Sequence, residues 1–185
     1  MAFQDQLVHE FAPYGQLSAT QLAQLEAHYN LLVRWNAKLN LTRISSMEAA
    51  IQLHYCESLF AGLSLPSEAL KIADIGTGAG FPGLPIAILR PECHLTLVES
   101  HQRKAVFLRE ASRDLPNVDV FSGRAEDLKK SFDWIVSRAV TPADVLKLKS
   151  ASRFLLLIGA EDTAKLGGGT KMPWGPNRFL VTVQN

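Results

Sequence analysis

The sequence predicts an α/β fold in which helices cover both faces of a mostly parallel sheet, behind an N-terminal helical cap. Three observations support this architecture. A short apolar run at residues 71–75 leads into a glycine-rich turn. From there, strand-like and helical patterns alternate, as in parallel strands joined by crossover helices. The first 65 residues carry only helical periodicity. We therefore divide the chain into a cap, residues 1–65, and an α/β domain, residues 66–185, packed as one unit.

The composition is that of a globular protein. Of its 185 residues, 47% are hydrophobic and 20% are charged, which suits a single domain with a sizeable core. A net charge of +1 argues against a strongly basic coat, so any RNA contact needs a local patch. Two isolated cysteines favour neither disulfides nor zinc, and no apolar run is long enough to span a membrane. We expect a cytoplasmic protein with no bound metal.

The cap is predicted to contain three helices, over residues 3–11, 18–38 and 45–64. Two of them begin with the spacing of a capping box, in which the first and fourth residues exchange hydrogen bonds. The pairs are Ser18 with Gln21 and Ser45 with Glu48. No linker rich in proline, glycine or serine follows the cap, so we expect it to pack on the sheet.

The α/β domain is predicted to alternate six strands with four helices. The strands are expected at 71–75, 95–99, 118–121, 133–137, 154–158 and 179–183, and the helices at 84–90, 103–114, 125–130 and 143–150. The last strand is predicted to be antiparallel at the sheet edge. The helix at 103–114 is expected to place Val106, Phe107 and Ala111 on its apolar side.

The turn after the first strand contains Asp74, Gly76, Gly78, Gly80 and Gly83. Its last three glycines match a dinucleotide-binding motif, but the wider pattern of an acid followed by three alternating glycines is typical of S-adenosylmethionine (SAM) loops in Rossmann-like methyltransferases. Glycine lets a ligand approach the backbone, and the following helix presents free N–H groups. No Gly-Lys-Ser/Thr ends the turn, which excludes a P-loop. An ordinary glycine-rich turn is the remaining alternative.

Further candidate ligand-binding residues stand where the later strands end, which is the edge at which such sheets bind ligands. Glu99, 23 positions after Gly76, can accept hydrogen bonds from ribose hydroxyls. A turn at Ala125 and Glu126 can present N–H groups to an adenine edge. Arg138 needs a partner if it is buried: the SAM carboxylate, an RNA phosphate or a structural acid. The alternative for Glu99 is an ordinary surface glutamate, and the alternative for the turn at Ala125 and Glu126 is an ordinary helix start.

A set of short motifs, spread in order over roughly residues 20 to 160, carries a family resemblance. They are Arg34-Trp35-Asn36, Asn40-Leu41-Thr42, His54, Glu57-Ser58, the turn from Asp74 to Gly83, Arg124-Ala125-Glu126 and Ser137-Arg138-Ala139, with a weaker match at Arg178–Val183. Together these motifs resemble the bacterial 16S ribosomal RNA guanine-N7 methyltransferases, also called glucose-inhibited division protein B. The glycine turn and the Ser-Arg-Ala motif are fairly specific in combination.

The resemblance implies SAM as cofactor and a guanosine in the helix 18 loop of small-subunit rRNA as methyl acceptor, in 16S rRNA or in a ribosomal particle. We expect a monomer. The predicted cofactor site consists of Gly76, Gly78, Gly80, Phe81, Glu99, Ala125, Glu126 and Arg138. Three segments depart from the family pattern: Ala79 replaces a common Pro, Cys56-Glu57-Ser58 replaces an aliphatic-Asp-Ser run, and Ile158-Gly159 replaces a Lys-Gly pair. The missing lysine puts a cationic contact at that edge in doubt.

The predicted chemistry needs no general base, because guanine N7 has a free lone pair and no proton to lose. Methyl transfer then depends mainly on in-line positioning. Consistently, the fourth strand is not followed by the Asn-Pro-Pro-Tyr or Asp-Pro-Pro-Tyr motif of exocyclic-amine methyltransferases, nor by a nucleophilic cysteine. We hypothesise that Arg138 orients cofactor or substrate.

Candidate RNA contacts lie in the cap, where Arg34, Trp35, Asn40 and Arg43 combine positive charge with aromatic and amide groups. The alternative is a helix whose Trp35 packs inward. A second basic face lies on residues 101–113 and can equally be a solvated helix surface. A small-molecule SAM methyltransferase, a non-catalytic SAM- or nucleotide-binding module and, more weakly, an NAD-dependent oxidoreductase stay open as alternatives.

Overall fold

A seven-stranded sheet forms the centre of the protein in a computed structural model that describes residues 1–43 and 46–185. The strands are β1 (Lys71–Ile75), β2 (His94–Glu99), β3 (Val118–Ser122), β4 (Trp134–Arg138), β5 (Arg153–Gly159), β6 (Thr170–Lys171) and β7 (Arg178–Gln184). Their order is β3-β2-β1-β4-β5-β7-β6. Strands β1 to β5 are parallel, whereas β7 runs antiparallel to both β5 and β6. The chain order reverses between β1 and β4, which is where such sheets bind ligands.

Helices account for most of the remaining chain. They are α1 (Phe3–Phe11), α2 (Ala19–Leu39), α3 (Met47–Ala50), a π-helical segment (Ile51–Cys56), α4 (Glu57–Ser64), α5 (Gly83–Leu89), α6 (Gln102–Ala111), a 3₁₀ turn (Ala125–Asp127), α7 (Pro142–Val145) and α8 (Ala160–Lys165). The predicted mostly parallel α/β architecture is confirmed. Within the described residues, none of these helices is long and apolar enough to cross a lipid bilayer.

The predicted start of the second helix is also confirmed. Ser18 Oγ accepts a hydrogen bond from Gln21 N, and the Gln21 side chain accepts one from Ser18 N. The third predicted helix consists of three consecutive helical segments, α3, the π-helical segment and α4. Ser46 caps the first of them, because its Oγ accepts a hydrogen bond from Ala49 N. The expected cap Ser45 lies outside the described residues. The π-helical segment was not foreseen, and such segments are frequent at functional sites.

Some local features differ from the predicted ones. The last strand is not at the edge, because the chain after α8 returns and pairs β6 with β7. Helix α8 itself was not predicted. The helix expected at 125–130 is a single 3₁₀ turn, and that expected at 143–150 ends at Val145. After Val145 the chain bends back, so that Ser150 O accepts a hydrogen bond from Phe132 N just before β4.

One hydrophobic core joins the N-terminal helices to the α5 and α6 side of the sheet. It includes Phe3 of α1, Leu25 of α2, Tyr55 of the π-helical segment, Phe81 and Phe107. Helix α6 presents a slightly different face from the predicted one: Val106 is 52% exposed, and the buried residues are Ala105, Phe107 and Leu108. Helical rotation of 100° per residue explains this difference, since Val106 points away from its buried neighbours.

Candidate cofactor and acceptor site

The glycine turn after β1 depends on backbone conformations that favour glycine. Gly76, Gly78 and Gly80 have φ angles of 67°, 59° and 90°. A Cβ on Gly76 would lie 2.5 Å from Val140 Cγ2, and one on Gly80 would lie 2.4 Å from Leu84 Cδ1. At Gly78 the nearest such atom is 3.9 Å away, so this part of the turn is open. A ligand can therefore reach the backbone at Gly78.

Asp74 fixes the turn from inside. Its Oδ2 accepts hydrogen bonds from Thr77 Oγ1 at 2.6 Å and from Gly83 N at 2.7 Å. Burial raises the pKa of Asp74 to about 6, and the two hydrogen bonds act in the opposite direction. The acid of the motif is thus enclosed by the turn and ties its beginning to the start of α5.

Glu99, at the end of β2, closes the other side of the turn. Its Oε2 accepts from Gly78 N at 3.0 Å, and its Oε1 accepts from His101 N at 2.8 Å. The carboxylate is almost completely buried, yet each oxygen still has a lone pair for a further donor. The predicted ribose acceptor therefore lies against the open position of the glycine turn.

His28 of α2 supports the turn from the cap, a role that the sequence did not predict. Its Nε2 lies 2.9 Å from Ala79 O and its Nδ1 lies 3.0 Å from Tyr55 Oη. A carbonyl can only accept, so Nε2 carries the proton and Nδ1 accepts from the tyrosine hydroxyl. Burial lowers the pKa of His28 to about 4, consistent with a neutral ring. The only sequence signal was its place on the buried face of α2, beside Leu25.

Phe81 is a packing platform between the turn and the cap. Its side chain is 2% exposed and stacks on His54 with 4.6 Å between ring centroids. The guanidinium carbon of Arg138 lies 5.1 Å from the centroid of the Phe81 ring. Burial, followed by the charges of Arg138 and Arg178, lowers the pKa of His54 well below its usual range. The three side chains therefore form one packed unit.

Arg138 ends β4 and is held by the cap. Its Nη1 donates to Leu53 O at 2.9 Å. The ion pairs among the described residues do not include it. Burial lowers the pKa of Arg138 to about 10, while the nearby Glu57 carboxylate raises it. The guanidinium is thus charged, and it keeps N–H groups for an anionic ligand.

A cavity of about 550 Å³ opens beyond Arg138, at the carboxyl ends of β4 and β5. Its polar lining residues include His54, Glu57, Arg138 and Arg178. Val140 lines the cavity as well, and it is the residue that contacts the Cβ position of Gly76. The cavity therefore adjoins the glycine turn, and its volume is in the range of small-ligand pockets.

The other predicted residues are more peripheral. Ala125 and Glu126 form the 3₁₀ turn after β3, which is brought near Glu99 because Gly123 N donates to Glu99 O. Of the RNA candidates, Trp35 packs inward: its ring meets Phe107 edge-on, and its Nε1 donates to Glu110 Oε2 at 3.1 Å. The exposed candidates, none of which lines the cavity, are Arg34, Asn40 and Arg43.

Residues 21–165 match the model of the family described as GidB, rRNA small subunit methyltransferase G. That region is most of the chain. The chain belongs to this family. The resemblance inferred from the sequence motifs is thereby confirmed.

Named GidB-family relatives agree with the match. Ribosomal RNA small subunit methyltransferase G of Bacillus subtilis (strain 168) is 35% identical over 170 residues, which cover 84% of this chain and 71% of the relative. The protein of the same name from Streptococcus pneumoniae serotype 19F (strain G54) is 39% identical over 140 residues, which cover 70% of this chain and 59% of the relative. The match thus spans less than two thirds of the pneumococcal protein's length.

The fold of this family member resembles that of a solved structure, Aeropyrum pernix fibrillarin in complex with natively bound S-adenosyl-L-methionine. The two structures have a TM-score of 0.53 and 17% sequence identity. The alignment covers 68% of this chain and 72% of fibrillarin. At this identity the likeness concerns the fold alone, which is the Rossmann-like fold of SAM-dependent methyltransferases.

Proposed function

We propose that the protein transfers the methyl group of SAM to N7 of a guanine in 16S rRNA. The observation that carries this proposal is the open glycine turn between Asp74 and Glu99, beside a cavity to which Arg138 and Arg178 contribute, in a member of the GidB family. Family membership favours the SAM interpretation of the turn over the dinucleotide one. It also favours RNA over a small molecule as acceptor.

In this proposal the cofactor lies along the carboxyl ends of β1 to β4. The turn at Gly76, Gly78 and Gly80 receives it against the backbone, and Glu99 accepts hydrogen bonds from the ribose. The open position at Gly78 and the free lone pairs of Glu99 fit such a ligand. Ala125 and Glu126 are the proposed adenine contacts. Phe81 holds the packing under the turn.

The acceptor guanine would enter the cavity beyond Arg138. SAM supplies an electrophilic methyl group, and N7 needs no base because its lone pair is free. The protein's task is therefore to orient the two reactants and to keep water out. We assign the orienting role to Arg138, which is rigidly placed by Leu53 O and the Phe81 ring. No residue is needed to remove a proton from the acceptor.

The cap is the proposed RNA-contacting region, packed with the domain at 66–185 as one unit. Arg34, Asn40 and Arg43 expose groups suited to phosphates and unstacked bases. Trp35, anchored on α6, would fix the position of this segment. We further propose that the protein acts as a monomer in the cytoplasm, where its rRNA substrate or the small ribosomal particle is found.

The decisive experiment is transfer of a labelled methyl group from SAM to RNA or 30S particles from a strain lacking the gene, followed by nucleoside analysis. We expect a single 7-methylguanosine in 16S rRNA. SAM binding without RNA labelling would instead support a small-molecule methyltransferase or a binding module. Absence of SAM binding would refute the interpretation of the glycine turn.

The role of Arg138 has a matched control within the same sheet. Arg138→Ala is expected to lower methyl transfer at least about ten-fold, since hydrogen bonds from a charged donor contribute about 1.5–3 kcal/mol. Arg153, at the opposite end of the neighbouring strand, also lies over an aromatic ring, that of Trp134, and does not line the cavity. Arg153→Ala should leave activity unchanged. If Arg138→Ala preserved both turnover and SAM affinity, the orienting role would be wrong.

A further inference from the structure

We infer that Arg178 recognises O6 of the acceptor base and thereby selects guanine over adenine. This inference rests on the proposed function, since it assigns the base specificity of the same site. Arg178 lies near the C-terminal end of the sequence, and the order of the strands in the sheet brings it to the cavity.

The antiparallel direction of β7 brings Arg178 to the carboxyl edge of the sheet. Arg178 is the first residue of β7 and lies opposite Gly159, the last residue of β5. The preceding residue on β5 is Ile158, which is uncharged. Arg178, on the neighbouring strand, supplies a cation at this edge of the sheet. Arg178 and Ile158 both line the cavity.

A buried carboxylate holds the Arg178 guanidinium in place. Glu57 is fully buried, and both of its oxygens accept from Arg178: Oε1 from Nε, and Oε2 from Nη2 at 2.5 Å. Such two-point pairing fixes the plane of a guanidinium. Within the described residues, Nη1 of Arg178 makes no hydrogen bond, and 37% of the side chain is exposed. The pair thus keeps donors free beside the cavity.

The reaction itself cannot tell guanine from adenine, because both purines have a free lone pair on N7. The difference lies at the neighbouring position of the same base edge. Guanine carries the acceptor O6 there, whereas adenine carries an amino group that donates. While N7 attacks the methyl group, an arginine can contact O6 alone. A fixed cationic donor accepts guanine and repels the adenine amino group.

Arg178 suits this role better than Arg138 does. Arg138 has one nitrogen bonded to Leu53 O and lies over Phe81, on the side of the glycine turn. Arg178 lies on the outer side, on β7 beyond β5. Arg138 is therefore placed toward the cofactor, and Arg178 toward the base edge that must be distinguished.

The test uses 16S rRNA in which the acceptor guanosine is kept or replaced by 2-aminopurine riboside, which retains N7 and the 2-amino group but lacks O6. Labelled SAM gives kcat/KM for each RNA. With the wild-type protein we expect the loss of O6 to lower kcat/KM by about ten- to a hundred-fold, the range for one hydrogen bond from a charged donor. Equal rates for both RNAs would overturn the inference without requiring any variant. Absence of methylation on guanosine RNA would instead overturn the proposed function, and this inference with it.

A variant then assigns the effect to Arg178. Arg178→Gln combined with Glu57→Gln removes both partners of the ion pair, so neither of the two residues is left as an unpaired charge. SAM affinity and the thermal midpoint verify that this variant is folded, and Arg153→Gln is the matched control. We expect the double variant to be slower than the wild-type protein on guanosine RNA. For this variant, replacing guanosine by 2-aminopurine should lower kcat/KM by less than about a further two-fold, since the contact with O6 is already absent. If the 2-aminopurine penalty stayed at its wild-type size while guanosine activity fell, Arg178 would contact another group, such as a phosphate, and the inference would be wrong.

Discussion

Protonation of His28 should destabilise the protein, and the structure sets the size of the effect. The neutral ring donates to Ala79 O and accepts from Tyr55 Oη, so a second ring proton would face a hydroxyl donor already in place. Burial lowers the pKa from 6.5 to about 4. The unfolded chain therefore binds more protons than the folded one between these values. Stability due to this group is complete above pH 6.5 and is lost as the pH falls towards 4, by about 3 kcal/mol.

The perturbation that isolates this effect is His28→Gln. A glutamine amide can donate to Ala79 O and accept from Tyr55 Oη, but it does not titrate. Urea unfolding followed by tryptophan fluorescence, at several pH values from 7.5 to 4, gives the free energy of unfolding of both proteins. We expect the difference between wild type and variant to change by about 3 kcal/mol over this range, in favour of the variant at low pH.

The difference between two proteins is needed because other groups titrate in the same range. Asp74 has a pKa raised to about 6, so its contribution has the opposite sign: it is present at low pH and is lost as the pH rises through 6. Subtracting the two curves removes this contribution. His9→Gln, which changes an exposed histidine of α1, is the matched control. A wild-type minus His28→Gln difference that does not vary with pH would refute the argument that His28 is buried in a neutral form.

Two further predictions concern the glycine turn. Gly83→Ala should destabilise the fold by about 1–3 kcal/mol in urea unfolding, because the new Cβ would lie 2.4 Å from Leu97 Cδ2. The control is Gly159→Ala, which should be close to neutral because the nearest atom to its new Cβ would be 3.7 Å away. Equal destabilisation by the two substitutions would contradict the packing argument. Glu99→Gln should weaken SAM binding about ten-fold or more in calorimetry. The substitution removes the carboxylate that accepts a hydrogen bond from Gly78 N and, in our proposal, from the ribose of SAM. An unchanged affinity would show that Glu99 does not contact the ligand.

Much of the fold follows from short-range features of the sequence. Strand β1 was predicted with its observed bounds, and β2, β3, β4, β5 and β7 to within one or two residues at each end. Strand bounds can be predicted in this way because hydrophobic periodicity, turn residues and helix caps depend on residues that are close together in the sequence. The capping box at Ser18 and the glycine turn are of this kind. Even so, local signals failed where the chain departs from regular helix, in the π-helical segment and after Pro142.

The sequence by itself therefore determined the strands, the glycine turn and the residues at the strand ends, because each depends on neighbours within a few positions. The alternation of strands and helices along the chain then predicted that the sheet is mostly parallel. The tertiary structure alone decided which distant residues complete the site. His28 meets Ala79 across 51 positions, and Glu57 meets Arg178 across 121. Such pairs leave no periodic signal, since neither partner's neighbours specify the other. They arise because buried polar groups must find partners once the packing of cap and sheet has brought them together.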